Sequence, residues 1–262
     1  RKIIKDYFSR VFNIKTKDKE TSLIENFYYP KYGPGQMWEE MALKIKKMGG
    51  KILTEHEVLK IHKKNNKIEN VSCLVKGKVK VFEGDYFISS MPIKYLISGM
   101  NNVEKNIKKI ALNLPYRDFI TVGLILNKIN LKNNTQIKTY NNLIPDCWIY
   151  VQGKEEKLGR IQVFNNWSPY LIDDINKVSL GLEYFCQEND SFWNKSEEEL
   201  RDFAVKELLN MQIISDKKDI LDYHVEKVKK AYPAYFDSYK NFPEVKEYLN
   251  KISNLYRIGR NG

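Results

Sequence analysis

The stretch FYYPKYGPGQMWEEMALKIKKMGGKILTEHEVLKI, residues 27–61, reads as a loop, a helix, a turn and a strand. In Tyr32-Gly33-Pro34-Gly35 glycine supplies positive φ and proline removes a donor, so the segment reads as a loop. From Gln36 onward Met37, Met41, Leu43, Ile45 and Met48 recur at near-helical spacing, with Glu39, Glu40, Lys44, Lys46 and Lys47 on the other face. Glutamates early and lysines late suit the helix dipole. Gly49-Gly50 then stops the helix, and Ile52 and Leu53 lead into a run ending Val58-Leu59-Lys60-Ile61. A glycine-rich loop feeding a helix N-terminus can cradle an anion. A tight turn ahead of a surface helix accounts for the same residues, and spacing leaves both readings open.

Outward from this stretch, the sequence is that of a folding chain. Its 262 residues are 42% hydrophobic and 13% aromatic, enough for one large core or two modest ones. The net charge of +11 is spread along the chain with acids mixed in, and clusters such as Lys63-Lys64 or residues 227–230 are short. A nucleic-acid binder gathers its charge on one face or in one run, so solvated faces are expected here and no nucleic acid. A basic chain still favours anionic small ligands. Cys73, Cys147 and Cys186 are widely separated, without a CxxC pair, and His56, His62 and His224 lack metal-ligand spacing. Neither a zinc site nor a disulfide framework is expected, and a reducing cytoplasm fits best. No apolar run reaches the ~18 residues of a transmembrane segment. The chain begins at Arg1, which leaves a leader sequence open, and both ends read as cut.

Periodicity divides the chain into two units. Residues 2–12 form an amphipathic pattern of Ile3, Ile4, Tyr7, Phe8, Val11 and Phe12. Strands over 58–63, 67–75 and 79–82, broken at Asn65-Asn66 and Lys76-Gly77-Lys78, predict a three-stranded antiparallel meander. Residues 85–92, DYFISSMP, read as a strand ending in a polar turn, with a helix over 93–100. Residues 119–126 are nearly continuously apolar and predict a strand buried on both faces. Strands over 147–151, 160–165 and 179–186, with connections too short for helical crossovers, predict a second, antiparallel sheet. A helix capped at Ser196 runs to about Met211. A strand over 225–229, a helix over 242–252 and a strand over 254–258 complete the pattern.

Three constellations can carry chemistry. In RIQVFNNWSP, residues 160–169, alternation puts Arg160, Gln162 and Phe164 on one strand face. Asn165, Asn166 and Ser168 can bind polar groups and Trp167 can stack on a flat ring, which a sugar or heteroaromatic ligand needs. Trp148 and Tyr150 lie beside them if the two strands pair. The plain alternative is a strand ending in an Asn-Asn turn with Trp167 in the core. AYPAYFD, residues 231–237, reads as an aromatic loop carrying Tyr232 and Tyr235, with simple loop packing as the alternative. The last residues, NLYRIGRNG, put Gly259 and Arg260 at the end of a strand, where glycine lets backbone approach a ligand.

Taken in order, aromatic-Pro-x-x-Gly-x-Gly, a helix, Gly-Gly-x-Ile, a strand centred on Val58, and Asp85 to Pro92 at its distance resemble the FAD-dependent amine-oxidase superfamily. That group includes protoporphyrinogen oxidases, phytoene desaturases and UDP-galactopyranose mutases. The resemblance implies an α/β fold of α+β character: part of an FAD-binding Rossmann-like domain, plus a substrate domain with a mixed, largely antiparallel sheet flanked by helices. It implies that FAD is contacted near Val58, mainly through its backbone, near Ser90, Met91 and Pro92, and near Gly259 and Arg260. Trp148, Tyr150, Arg160, Asn165, Asn166, Trp167, Tyr232 and Tyr235 are then the substrate residues. Residues 1–46 lead into the FAD-binding domain, 47–96 form part of it, 97–253 form the substrate domain, and 254–262 return to the first domain.

One departure is an absence. No Gly-x-Gly-x-x-Gly occurs, and Gly33-Pro34-Gly35 follows no strand of a βαβ unit. In the superfamily that fingerprint lies well before the aromatic-Pro loop, so the resemblance covers the middle of the family's chain. The expectation is a fragment, or a chain that has lost the ordinary FAD clamp and by itself binds FAD weakly. The activity implied is that of an FAD-dependent oxidoreductase transferring hydride from a small-molecule substrate to the flavin. The alternatives are a flavin-dependent isomerase of a nucleotide sugar, like the mutases, and a non-catalytic binding domain without flavin. No catalytic base stands out.

Overall fold

Tight turns between β-branched runs build the first sheet. The computed structural model describes residues 28–234 and 237–259. It pairs β1 (Glu57–Lys64), β2 (Lys67–Val75) and β3 (Lys78–Glu83) into the antiparallel meander that the pattern predicts. Asn65 at φ 52° and Gly77 at φ 76° supply the left-handed residues its two turns require. Ahead of the meander, α1 (Pro34–Lys47) begins earlier than its apolar spacing suggests. Pro34 takes the first helical position, where a missing N–H is harmless. The glutamates lie too late to reach the first turn, but Lys44, Lys46 and Lys47 do occupy the last one. No side chain of α1 is buried.

The strand ending in the polar turn is β4 (Phe87–Ser89), and it pairs in parallel with β10 (Leu255–Arg257). The C-terminal strand therefore returns to the Ser90 turn. Behind both sheets, α2 (Ile93–Gly99), α3 (Lys105–Leu112) and α5 (Phe242–Asn250) close a core around Ile68, Leu96, Ile97, Val245 and Leu249. The lysine-rich sequence hides α3, whose Ile107, Ile110 and Ala111 form a narrow buried stripe. Because α3 and α5 pack here, this core draws on residues well inside 97–253.

The second sheet has five antiparallel strands in the order β6-β7-β8-β5-β9: β6 (Trp148–Tyr150), β7 (Arg160–Val163), β8 (Val178–Cys186), β5 (Tyr116–Leu126) and β9 (Ile220–Pro233). One face packs on α4 (Glu197–Asn210), which starts in a complete capping box between Ser196 and Glu199. The expectation that residues 119–126 are buried on both faces is overturned. Ile120, Val122, Leu124 and Leu126 are fully buried, whereas Phe119, Thr121, Gly123 and Ile125 alternate with them half-buried. Only the first set meets the core; the second lies half-buried on the other face of the sheet.

Two boundaries also change. β7 ends at Val163, so Asn165 lies in a single helical turn, Phe164–Trp167, and not on the strand. β9 runs on to Pro233, so Tyr232 is a strand residue opposite Arg117 and not part of a loop. The architecture is α/β with mixed, largely antiparallel sheets flanked by helices. The helix expected over 2–12, Tyr235 and Arg260 lie outside the described residues. Among the described residues no helix is long and apolar enough to cross a membrane, and no group of His, Cys, Asp or Glu is placed to hold a metal ion.

Candidate functional site

The open face of the five-stranded sheet gathers the polar and aromatic residues. Alternation fixes which side chains share it, and register fixes which of them meet. Tyr150 pairs with Arg160, Trp148 with Gln162, and Arg160 with Glu183 on β8. The Arg160 Nε donates to Glu183 Oε2 at 2.8 Å, Nη2 donates to the same oxygen, and Gln162 Nε2 donates to Oε1. Glu183 is only 3% exposed. Its charge is compensated by these donors, as a buried carboxylate requires. The guanidinium also lies 4.7 Å from the Trp148 ring centroid and 5.9 Å from that of Tyr150. Burial pulls the Arg160 pKa down. Hydrogen bonds to Glu183, Tyr150 and Tyr232, with the Glu183 charge, outweigh it and hold the group above its ordinary value. Arg160 is cationic at every relevant pH.

An aromatic row continues from this corner to the loop ahead of α1. Trp148 meets Trp167 edge-on at 5.0 Å, and Trp167 meets Tyr29 at 5.1 Å. The loop is fixed in turn by Ser168 Oγ, which donates to the Lys31 carbonyl at 2.7 Å, and by Lys31 Nζ, 4.0 Å above the Tyr170 ring. Gly33, at φ 85°, packs so closely that an added Cβ would sit 3.3 Å from Leu171. The Pro-Gly loop therefore acts here as a packed turn against the end of the five-stranded sheet. Tyr29 and Cys147 are both pushed up, first by burial, then by the nearby Cys147 and Asp146 charges respectively.

The amides of Asn165 and Asn166 engage backbone groups. Asn165 is 1% exposed, and its amide donates to the Lys177 carbonyl at 2.8 Å and accepts from the Ser179 N–H at 2.9 Å. The Asn166 Nδ2 donates to the carbonyls of Ile144 and Asp146 at 2.7 and 2.9 Å. Both amides bind loops to the sheet, a structural role beside the polar-binding one expected from sequence. Local sequence cannot distinguish the two, because an Asn amide satisfies backbone as readily as a ligand.

The second feature is a cavity of about 270 Å³ between the meander and the β4–β10 pair. Val58, Ser90 and Met91 line it, together with Ile61, Val71, Phe87, Ile88, Ser89 and Leu255. Pro92 stands just outside as the N-cap of α2. Gly259, at φ 78°, is held nearby because the Ile258 N–H donates to the Ser89 carbonyl at 3.0 Å. Tyr116 ties β5 to the same turn: the N–H groups of Ile93 and Lys94 point at its hydroxyl, whose pKa burial nonetheless raises.

Arg160 and its aromatic neighbours stand out as candidates in the sequence, whereas Glu183 and Gln162 do not. Parity along β7 places Gln162 beside Arg160; only the β7–β8 register brings Glu183 opposite.

No known family model and no curated protein matches the sequence. Solved structures do share its fold, among them a mutase and several oxidases. A reduced UDP-galactopyranose mutase superposes with TM-score 0.68 at 18% identity, over 89% of this chain and 47% of that one. A protein from Exiguobacterium sp. 255-15 assigned as a protoporphyrinogen oxidase gives 0.61 at 14%, over 87% and 46%. A redesigned putrescine oxidase gives 0.56 at 14%, over 86% and 46%. The chain spans about half the length of these structures, and the likeness is one of fold.

Proposed function

We propose that this chain supplies the adenine side of an FAD site and the substrate-facing sheet of an FAD-dependent oxidoreductase. The observation that supports this reading most is the convergence of Val58, Ser90 and Met91 on one cavity beside the parallel β4–β10 pair. The lining fits the cofactor's adenine end: aliphatic side chains flank a flat ring, and Ser89 and Ser90 offer polar groups at one end. The volume suits one ring system and not a whole dinucleotide. When bound, FAD supplies the two-electron acceptor that takes hydride from a substrate C–H bond. The chain's own residues bind and orient. Trp148, Tyr150 and Tyr232 offer ring faces and hydroxyls around the Arg160 cation, while the Tyr29–Trp167 row closes one side against water.

The Arg160 corner favours a second reading, a flavin-dependent isomerase of a nucleotide sugar. A cation flanked by two tyrosine hydroxyls and an indole suits a diphosphate beside a base or sugar. Glu183 weighs on the other side: a ligand phosphate must compete with a buried carboxylate already bound to the guanidinium. Purifying the gene product and measuring bound flavin tests the shared premise. Oxygen or dye reduction against UDP-sugar isomerisation under reducing conditions then separates the two activities. A product without flavin that still binds UDP would leave a non-catalytic binding domain.

A further inference from the structure

We infer that Asp118, on the core side of β5, is a positioning residue that sets Tyr232 beside Arg160; the inference rests on Tyr232 facing a ligand. Along the β5–β9 ladder Phe119 pairs with Val228, but Arg117 pairs with Tyr232. Two steps on β5 thus face four on β9, and β9 carries two extra residues. An even insertion keeps Tyr232 on the open face, whereas a single one would turn it into the core. It also draws Tyr232 back along the sheet by two residues, about 7 Å at the rise of a strand. In a regular ladder Lys230 would stand opposite Arg117, and Tyr232 would lie beyond it.

The bulge needs something to hold it. Lys230 sits at φ 51°, a left-handed conformation that lysine does not favour. Its N–H, directed away from the ladder, donates to Asp118 Oδ1. The other carboxylate oxygen accepts the Glu188 N–H at 2.6 Å, just beyond β8. Asp118 is 5% exposed, and both its oxygens are spent on backbone donors, one on β9 and one just past the end of β8. The side chains above reinforce the corner. Lys229 and Lys230 reach the Glu188 carboxylate at 2.6 and 3.0 Å, and Lys230 lies 5.0 Å from the Tyr95 ring on α2. The Ala234 N–H donates to the Pro115 carbonyl at 2.9 Å, which fixes the register on the far side of Tyr232. Without the carboxylate, relief of the Lys230 backbone favours the regular register and carries Tyr232 away from Arg160.

Hydrogen exchange followed by mass spectrometry, paired with UDP titration by tryptophan fluorescence, tests this on wild type, Asp118→Ala, Asp118→Asn and Tyr232→Phe. Asp118→Ala is expected to speed exchange at least tenfold across residues 226–234 while β8 and residues 120–126 stay protected. Asp118→Asn, which keeps one acceptor, should fall between; it carries the comparison if the alanine variant does not fold. Asp118→Ala should weaken UDP about as much as Tyr232→Phe, and the double variant no more than either alone. Unchanged exchange across 226–234, or fully additive losses of UDP affinity, would overturn the assignment. Failure of the wild type to bind UDP would count against the nucleotide-sugar reading and leave the exchange result to decide Asp118.

Discussion

Arg160 and Glu183 face each other across β7 and β8, Nε to Oε2 at 2.8 Å, with Glu183 3% exposed. The arginine is thus both a candidate ligand group and the counter-ion of a carboxylate that water does not reach. Removing it leaves that carboxylate unpaired, which costs about 3–5 kcal/mol in buried pairs. Arg160→Ala should therefore lower stability by about that amount in urea unfolding. Arg160→Lys should recover part, since an ammonium lacks the planar fork. Arg160→Met with Glu183→Leu should recover most. A stable Arg160→Ala protein would show that the pair contributes little.

Gly181 leaves room for the Phe164 ring on the same sheet face: a Cβ there would lie 2.9 Å from two ring atoms. Gly181→Ala should destabilise by about 1–3 kcal/mol through overpacking, with Phe164→Leu in the same chain relieving much of it. Denaturation of the single and double variants measures this. Equal losses would mean that the ring does not restrain the site.

The α4 capping box makes a smaller, local prediction. Ser196→Ala removes the acceptor for the Glu199 N–H, at 3.2 Å, and should cost about 1 kcal/mol, lowering Tm by about 2–4 °C. Ser196→Asn should restore it. No shift for alanine by calorimetry would show the helix start to be held by packing alone.

Glu188 carries the pH dependence. Hydrogen bonds from Lys229 and Lys230 lower its pKa to about 2, well under the ordinary carboxylate value. A depressed folded pKa means that the β8–β9 corner gains stability above the ordinary carboxylate range and loses it as pH falls toward about 2. A carbon-detected NMR titration of Glu188 should show a midpoint near this value. A midpoint in the ordinary range would mean that the lysines do not hold it.

Local grammar made much of this architecture legible. Asn65 and Gly77 marked the meander turns, Ser196 and Glu199 marked α4, and alternation put Arg160 and Gln162 on one face. What local pattern cannot supply is register. Glu183 became Arg160's partner only through the β7–β8 pairing, and Tyr232 became a strand residue only through the bulge facing Asp118. Asn165 and Asn166 have ligand-binding chemistry, and only the fold shows that nearby backbone groups engage their amides. The stripe on α3 escaped because its three buried residues, Ile107, Ile110 and Ala111, are interrupted by lysines in a helix of only eight residues.

The proposed cofactor site is the cavity beside Ser90, which would receive the adenine end of FAD. Ser90 is exposed at the cavity, so Ser90→Trp can fill its mouth without disturbing the core. Flavin titration of the full-length gene product, followed by visible absorbance, tests the claim directly. The wild type should take up about one FAD per chain, and Ser90→Trp should bind it at least tenfold more weakly while unfolding at the same temperature. Stoichiometric flavin held with equal affinity by both proteins would place the cofactor elsewhere and contradict the account.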